Sequence, residues 1–376
     1  MRTLSREDGF TLMEMLITTA ITLVVLGMAM TTFKNALDVN QTATQTADAS
    51  QNLRAGTNLL VRDLMQAGRE VPSGGIAIPS GGGVGEINLP APPDVVINWD
   101  NTVNTQIPAI IPGPSKGPTI DGQSTDVITM LMSDAIPRGD SLTTTAPTAW
   151  IDGTDAGGNL VDDLAVTNTT GTLPTIKTDG SSFNVGNNTA WIAGDTANGI
   201  TPISAGDLIL FVNNSNGGSA IQTVTSVDAS NVYFDAGDWF GFNQRTGTAG
   251  TILNILNGAA TVAAVRLQMV TYYVDAKTTP GTPRLTRVYN NGTPQQLAGV
   301  VEDLQLSYDL VDGVTNPVEQ ETIPTGYSPN QIRKVNVHVG VRSDTLAVPF
   351  NDYMRSHLST VVTIRSLAFF NRYPVS

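Results

Sequence analysis

The sequence predicts an α+β protein. A long N-terminal helix, membrane-spanning at its start, packs on a C-terminal antiparallel β-sheet, and a large β-rich, loop-rich insertion separates the two. Three observations lead there. Residues 10–33 form an apolar run whose single charge is Glu14. Leu53, Leu60, Leu64 and Ala67, with Gly56 or Thr57, recur at three- and four-residue steps, the period of a helix with one buried face. Val335, Val337, Val339 and Val341 alternate with Asn336, His338, Gly340 and Arg342, the period of a half-buried strand.

Composition bounds what lies between. With 376 residues the chain can form two or three packing units. Only 14% of residues are charged, while 36 are Gly and 21 are Pro, a balance that favours loop-rich β structure. The net charge is −13 with no Lys/Arg cluster, so no nucleic-acid partner is expected; the acidity keeps an exposed domain soluble. Cysteine is absent, which excludes disulfides, Cys-based zinc sites and a thiol nucleophile.

The apolar run 10–33 would span about 36 Å as a helix, enough to cross a bilayer core. A secretory signal wants a shorter apolar core followed by a small-x-small site. Arg2 and Arg6 precede the run and Lys34 follows it, which places the leader in the cytoplasm and the residues beyond Lys34 outside. Glu14 costs about 2.5–3.5 kcal/mol at membrane depth and so needs a partner. No Lys or Arg lies within a helical turn of it inside the run. A cut after Gly9 would create one cation, the amine of Phe10, on the same helix or on a neighbouring copy. A pair between neighbours would offset the burial and fix the stagger of adjacent helices.

No proline interrupts the chain until Pro72, so the helix is expected over 10–67, with Gly68 and Pro72 as stop signals. Residues 72–125 read as loop with isolated strands, 126–132 as a strand, and 135–200 as weakly patterned. A three-strand meander is expected from 207–212, 221–227 and 231–234. In the C-terminal third, Leu304, Leu306, Tyr308 and Leu310 alternate like the valines, and 265–274 and 361–370 are longer strand candidates.

Other candidate chemistry is thin. His338 and His357 have no His or Glu at helical ligand spacing. Gly81, Gly82, Gly83 and Gly85 lack the Lys-Ser/Thr of a phosphate loop. Asp152, Asp155, Asn159, Asp162 and Asp163 raise calcium binding, but Ala156 stands at the fifth position and no glutamate closes the loop; a solvated turn is the simpler reading. Trp99, Trp150, Trp191 and Trp239 would form an adhesive or glycan-binding face if clustered, and core anchors if separately buried. No cofactor or metal is expected.

The string Gly9-Phe10-Thr11-Leu12-Met13-Glu14 resembles the processing site of type IV prepilins and type II secretion pseudopilins. The resemblance implies a pilin-like fold and no catalysis. It makes Gly9 the residue after which a prepilin peptidase cuts, Phe10 the N-methylated new N-terminus, and Glu14 the carboxylate that meets a neighbouring subunit's amine. The stretch from Arg62 to Arg69 resembles the helix end of PilW-type minor pilins. Arg284 to Arg287, Gly299 to Gln305 and Val339 to Ser343, in that order, resemble the C-terminal tails of PilW-type minor pilins and J-type pseudopilins. The implied layout is leader 1–9, helix 10–70 (10–33 transmembrane), insertion 71–257 and pilin-like sheet 258–376. The implied role is a minor pilin that helps initiate or cap a type IV pilus-like filament serving adhesion, motility, DNA uptake or secretion. Its implied partners are other minor pilins, the major pilin, the prepilin peptidase/methyltransferase, the inner-membrane assembly platform and membrane lipid. The implied location is a single pass through the inner membrane with the C-terminal domain outside, then the pilus or pseudopilus. A secretion pseudopilin, an adhesin displayed by a pilin-type signal, and a plain single-span anchor stand as alternatives.

Overall fold

The computed structural model describes residues 10–79, 86–100, 104–133, 153–154, 160–161, 164–166, 175–177, 179–185, 190–194, 202–213, 217–245, 249–256, 262–347 and 352–368. Gly9, the glycine-rich loop at 81–85, Trp150 and the five Asp/Asn residues from 152 to 163 lie outside these residues.

Helix α1 (Leu12–Gln66) runs for 55 residues, about 80 Å. Its two halves differ. From Phe10 to Leu37 every side chain is exposed. Beyond that, Ala49, Leu53, Gly56, Thr57, Leu60, Asp63, Leu64 and Ala67 form one buried stripe. The predicted period is thus realised, with Gly56 and Thr57 both in it. The helix stops where expected. Gly68 takes φ +76°, its N–H donates to Leu131 O at 2.8 Å, and a Cβ there would sit 3.1 Å from Leu367. Glycine therefore serves both the left-handed turn and the close packing.

The sheet that receives this stripe is antiparallel throughout. Strands β1 (Glu86–Leu89) and β2 (Ile97–Asp100) form a separate hairpin, and the sheet itself contains β3 (Ile110–Gly113), β4 (Val127–Ser133), β5 (Leu208–Asn213), β6 (Ser219–Thr223), β7 (Val262–Asp275), β8 (Arg284–Tyr289), β9 (Gln295–Leu310), β10 (Ile332–Arg342) and β11 (Arg355–Thr363). The main path is β6-β5-β7-β8-β9-β10-β11, with β4 and Leu164–Val166 also paired to β7 and β3 to β4. Strand β7 ties the layout together. Its first half pairs with β5 and Leu164–Val166, its second with β4 and β8.

Alternation set the register. Leu304, Leu306 and Tyr308 of β9 lie opposite Val339, Val337 and Val335 of β10, all nearly fully buried. Each aliphatic side chain so buried contributes about 1.5–3 kcal/mol. The apolar run of β5 is explained by two cores. Leu208 and Leu210 join the main core, while Ile209 and Phe211 join a second one. There Phe211 meets Phe183 and Phe234 edge-on at 5.8 and 5.7 Å.

Two expected elements differ. The second meander strand, expected over 221–227, splits into β6 and Ser226–Val227, and the latter pairs with the third, Asn231–Tyr233, in a small four-stranded sheet with Ser182–Asn184 and Thr175–Ile176. The apolar stretch 361–370 divides at Ile364, because β11 ends at Thr363 and a short helix, Arg365–Ala368, turns Leu367 into the core beside Gly68.

One polar contact pins α1 to the sheet. The Asp63 carboxylate accepts from the Tyr272 hydroxyl of β7 at 2.7 Å and from Arg287 Nε of β8 at 2.8 Å. Asp63 is buried and Arg287 nearly so, so each compensates the other's desolvation.

Candidate functional site

The N-terminal turn of α1 is built by Thr11 and Glu14. Thr11 is the N-cap, extended at φ −76° and ψ 150°. Its Oγ1 accepts from the Glu14 N–H at 3.3 Å, and the Glu14 carboxylate reaches back to the Thr11 N–H at 3.0 Å. This is a reciprocal capping box, which satisfies donors that a helix start leaves open. The Thr11 hydroxyl also donates to the same carboxylate oxygen, Oε2, at 3.0 Å. Among the described residues nothing donates to the other oxygen, Oε1.

Glu14 therefore has two faces. One oxygen belongs to the helix cap, and one is available to a donor from outside. Phe10 stands just before the cap, 82% exposed. Leu12, Met13, Leu16 and Ile17 lie around them, apolar and uncovered by this chain. The hydroxyls farther along are internally satisfied. Thr18 and Thr22 donate to carbonyls four residues back at 2.7 Å, and Thr31 and Thr32 do so at 2.9 Å. Such back-bonding lets a threonine sit in hydrocarbon without an open donor. Helix α1 is long and apolar enough to cross a membrane, and its most apolar stretch is left uncovered by the chain.

Residues 4–30 match the prokaryotic N-terminal methylation motif. The match contains Gly9, Phe10 and Glu14, so the three expected site residues fall within one prepilin-type signal. No curated protein matches the chain. Among solved structures, a type IV-like pilin from Thermus thermophilus is similar at 10% identity, covering 44% of this chain and 87% of that one, with a TM-score of 0.18. So distant a likeness carries no weight here. The motif match and the observed helix-plus-antiparallel-sheet architecture stand without it.

Of the three motif residues, the structure describes two and places them four residues apart at one helix end. Sequence reasoning missed Thr11, although Thr-x-x-Glu before an apolar run is a capping-box signature. It also missed Asp63, Tyr272 and Arg287, which no local pattern connects. The remaining candidates are dispersed. His338 and His357 stack at 5.5 Å on the outer face of β10 and β11, with His338 Nδ1 2.8 Å from Ser359 Oγ. Among the described residues no three His, Cys, Asp or Glu side chains converge as a metal site. Trp99 is half-buried, its Nε1 donating to Gln106 O at 3.0 Å, whereas Trp239 is 42% exposed.

Proposed function

We propose that this chain is a minor pilin or pseudopilin of PilW type, a non-catalytic subunit that helps start or cap a type IV pilus-like filament. In this reading a prepilin peptidase cuts between Gly9 and Phe10, and the new Phe10 amine is methylated. Residues 10–33 hold the subunit in the inner membrane, with the C-terminal domain outside. Residues 71–257 decorate a pilin-like sheet formed by 258–376. The neighbours are other minor pilins and the major pilin, and assembly runs on an inner-membrane platform.

The observation that carries the reading is the divided Glu14 carboxylate. Its Oε2 is held by the cap and its Oε1 is open, at the start of an apolar segment that this chain leaves bare. An ammonium from a neighbouring helix can bind Oε1 without dismantling the cap. The pair forms only when two helices pack in one stagger, so the residue favours the assembled over the lone subunit. A glutamate that accepts from a neighbour's N-terminus also places this chain beneath another subunit.

Glu14→Gln separates the two roles, because glutamine also closes a capping box but carries no charge. Membrane cross-linking of wild type and Glu14→Gln to candidate partner pilins tests the reading. Retained insertion and processing with lost cross-linking supports an ion pair between subunits. Equal yields would reduce Glu14 to a helix cap.

A further inference from the structure

On the face of the sheet away from α1 lies a groove of about 420 Å³. Its position is a consequence of strand geometry. Successive residues of β7 point to opposite faces, so Tyr272 faces the helix and Tyr273 faces the groove. Tyr273 is 1% exposed and packs with Val127 and Val288. Its hydroxyl has no hydrogen-bond partner among the described residues, yet the residue lines the groove. The hydroxyl oxygen itself opens onto the groove, where water or a ligand hydroxyl can take its hydrogen bond.

The rim is built around Trp239. The Asn88 side-chain amide donates to Trp239 O at 2.6 Å, the Asn88 N–H donates to Phe240 O at 3.0 Å, and the Phe240 ring stands edge-on to the indole at 4.9 Å. The indole is therefore held in place while 42% exposed. Asn98 and Asn291 supply amides on the walls, and Val96 adds an apolar lip. Among the described residues no charged side chain lines the groove.

We propose that this groove binds a neutral saccharide. A pyranose ring stacks its C–H face on Trp239, and its hydroxyls take the Tyr273 hydroxyl at the floor and the Asn291 amide at the wall. The uncharged lining gives an acidic sugar no counter-ion. The groove-facing Tyr273 hydroxyl and the Asn291 amide favour a polyhydroxylated ligand over a proline-rich peptide, which has few groups to donate to or accept from them. This assignment is independent of the filament role, because it rests on the outer face of the sheet and not on the N-terminal helix.

The test uses the full chain in lauryldimethylamine oxide, a detergent without a sugar headgroup. The protein is applied to immobilised neutral, sialylated and sulfated oligosaccharides and to proline-rich peptides. Hits are then titrated by tryptophan fluorescence. Retention on at least one neutral oligosaccharide is expected. Trp239→Ala should weaken it about tenfold and Tyr273→Phe by about three- to tenfold, with circular dichroism unchanged. Asn291→Ala, at an exposed position, replaces Trp239→Ala should that variant not fold, and should weaken binding about threefold. The proposal is overturned by no retention on any neutral sugar, by retention only on acidic sugars or peptides, or by neutral-sugar binding that the folded variants leave unchanged.

Discussion

Tyr272 and Asp63, 209 residues apart in the chain, meet in a 2.7 Å hydrogen bond at the buried seam between helix and sheet. Arg287 completes the contact from the next strand at 2.8 Å. The seam is where the exposed, apolar half of α1 gains a rigid attachment to the folded domain.

Removing Asp63 leaves the Arg287 guanidinium buried without its counter-ion. Asp63→Ala should destabilise the full chain by about 3–5 kcal/mol. Joint replacement of Asp63, Arg287 and Tyr272 by leucine, methionine and phenylalanine, which leaves no buried polar group unpaired, should recover most of that loss. Urea or thermal melts of the two variants check both statements, and an Asp63→Ala melt equal to wild type would deny the seam its structural role.

The buried tyrosines set an alkaline limit. Burial pushes the Tyr273 hydroxyl up to about 12, with the nearby Asp275 carboxylate adding to the shift. Burial also raises Tyr272 and Tyr308, reinforced by Asp63 and Asp126 respectively. An unfolded tyrosine ionises near 10, so between about pH 10 and 12 the folded state holds more protons than the unfolded one. Stability is thus full below about pH 10 and falls as pH rises, by about 1.4 kcal/mol per pH unit for each such tyrosine. Melts from pH 8 to 12, read beside tyrosinate absorbance, should show the late-titrating tyrosines ionising only as the domain unfolds. Ionisation of all eight tyrosines near pH 10 without loss of structure would contradict this.

Thr11→Val removes the cap oxygen but leaves the Glu14 charge. The first turn should lose about 1 kcal/mol of helix stability. Cross-linking to partner subunits should persist at reduced yield, in contrast to its loss in Glu14→Gln. If Thr11→Val abolishes cross-linking as completely as Glu14→Gln, order at the helix start is the controlling factor rather than the charge.

Much of this architecture is readable along the chain because burial on one face leaves a period behind. The stripe from Leu53 to Ala67 and the alternations at 304–310 and 335–341 are of that kind. The capping box was equally readable, since Thr11 and Glu14 stand at the required spacing. What resists reading is contact between distant segments. Nothing near Asp63 announces Tyr272 or Arg287, and Tyr272 and Tyr273 look alike although one locks the helix and the other floors a groove. Strand β5 reads as uniformly apolar because its two faces enter different cores. The stretch after Val361 reads as one strand because the turn at Ile364 depends on a pocket beside Gly68 that forms only in the fold.

Intact-mass and N-terminal peptide mass spectrometry of the full protein, recovered from membranes and from sheared filaments, tests the filament-subunit role without intermediaries. A processed subunit begins with N-methylated Phe10, the leader removed after Gly9, in both fractions. Filament-associated protein that still begins at Met1 would refute that role for Gly9 and Phe10.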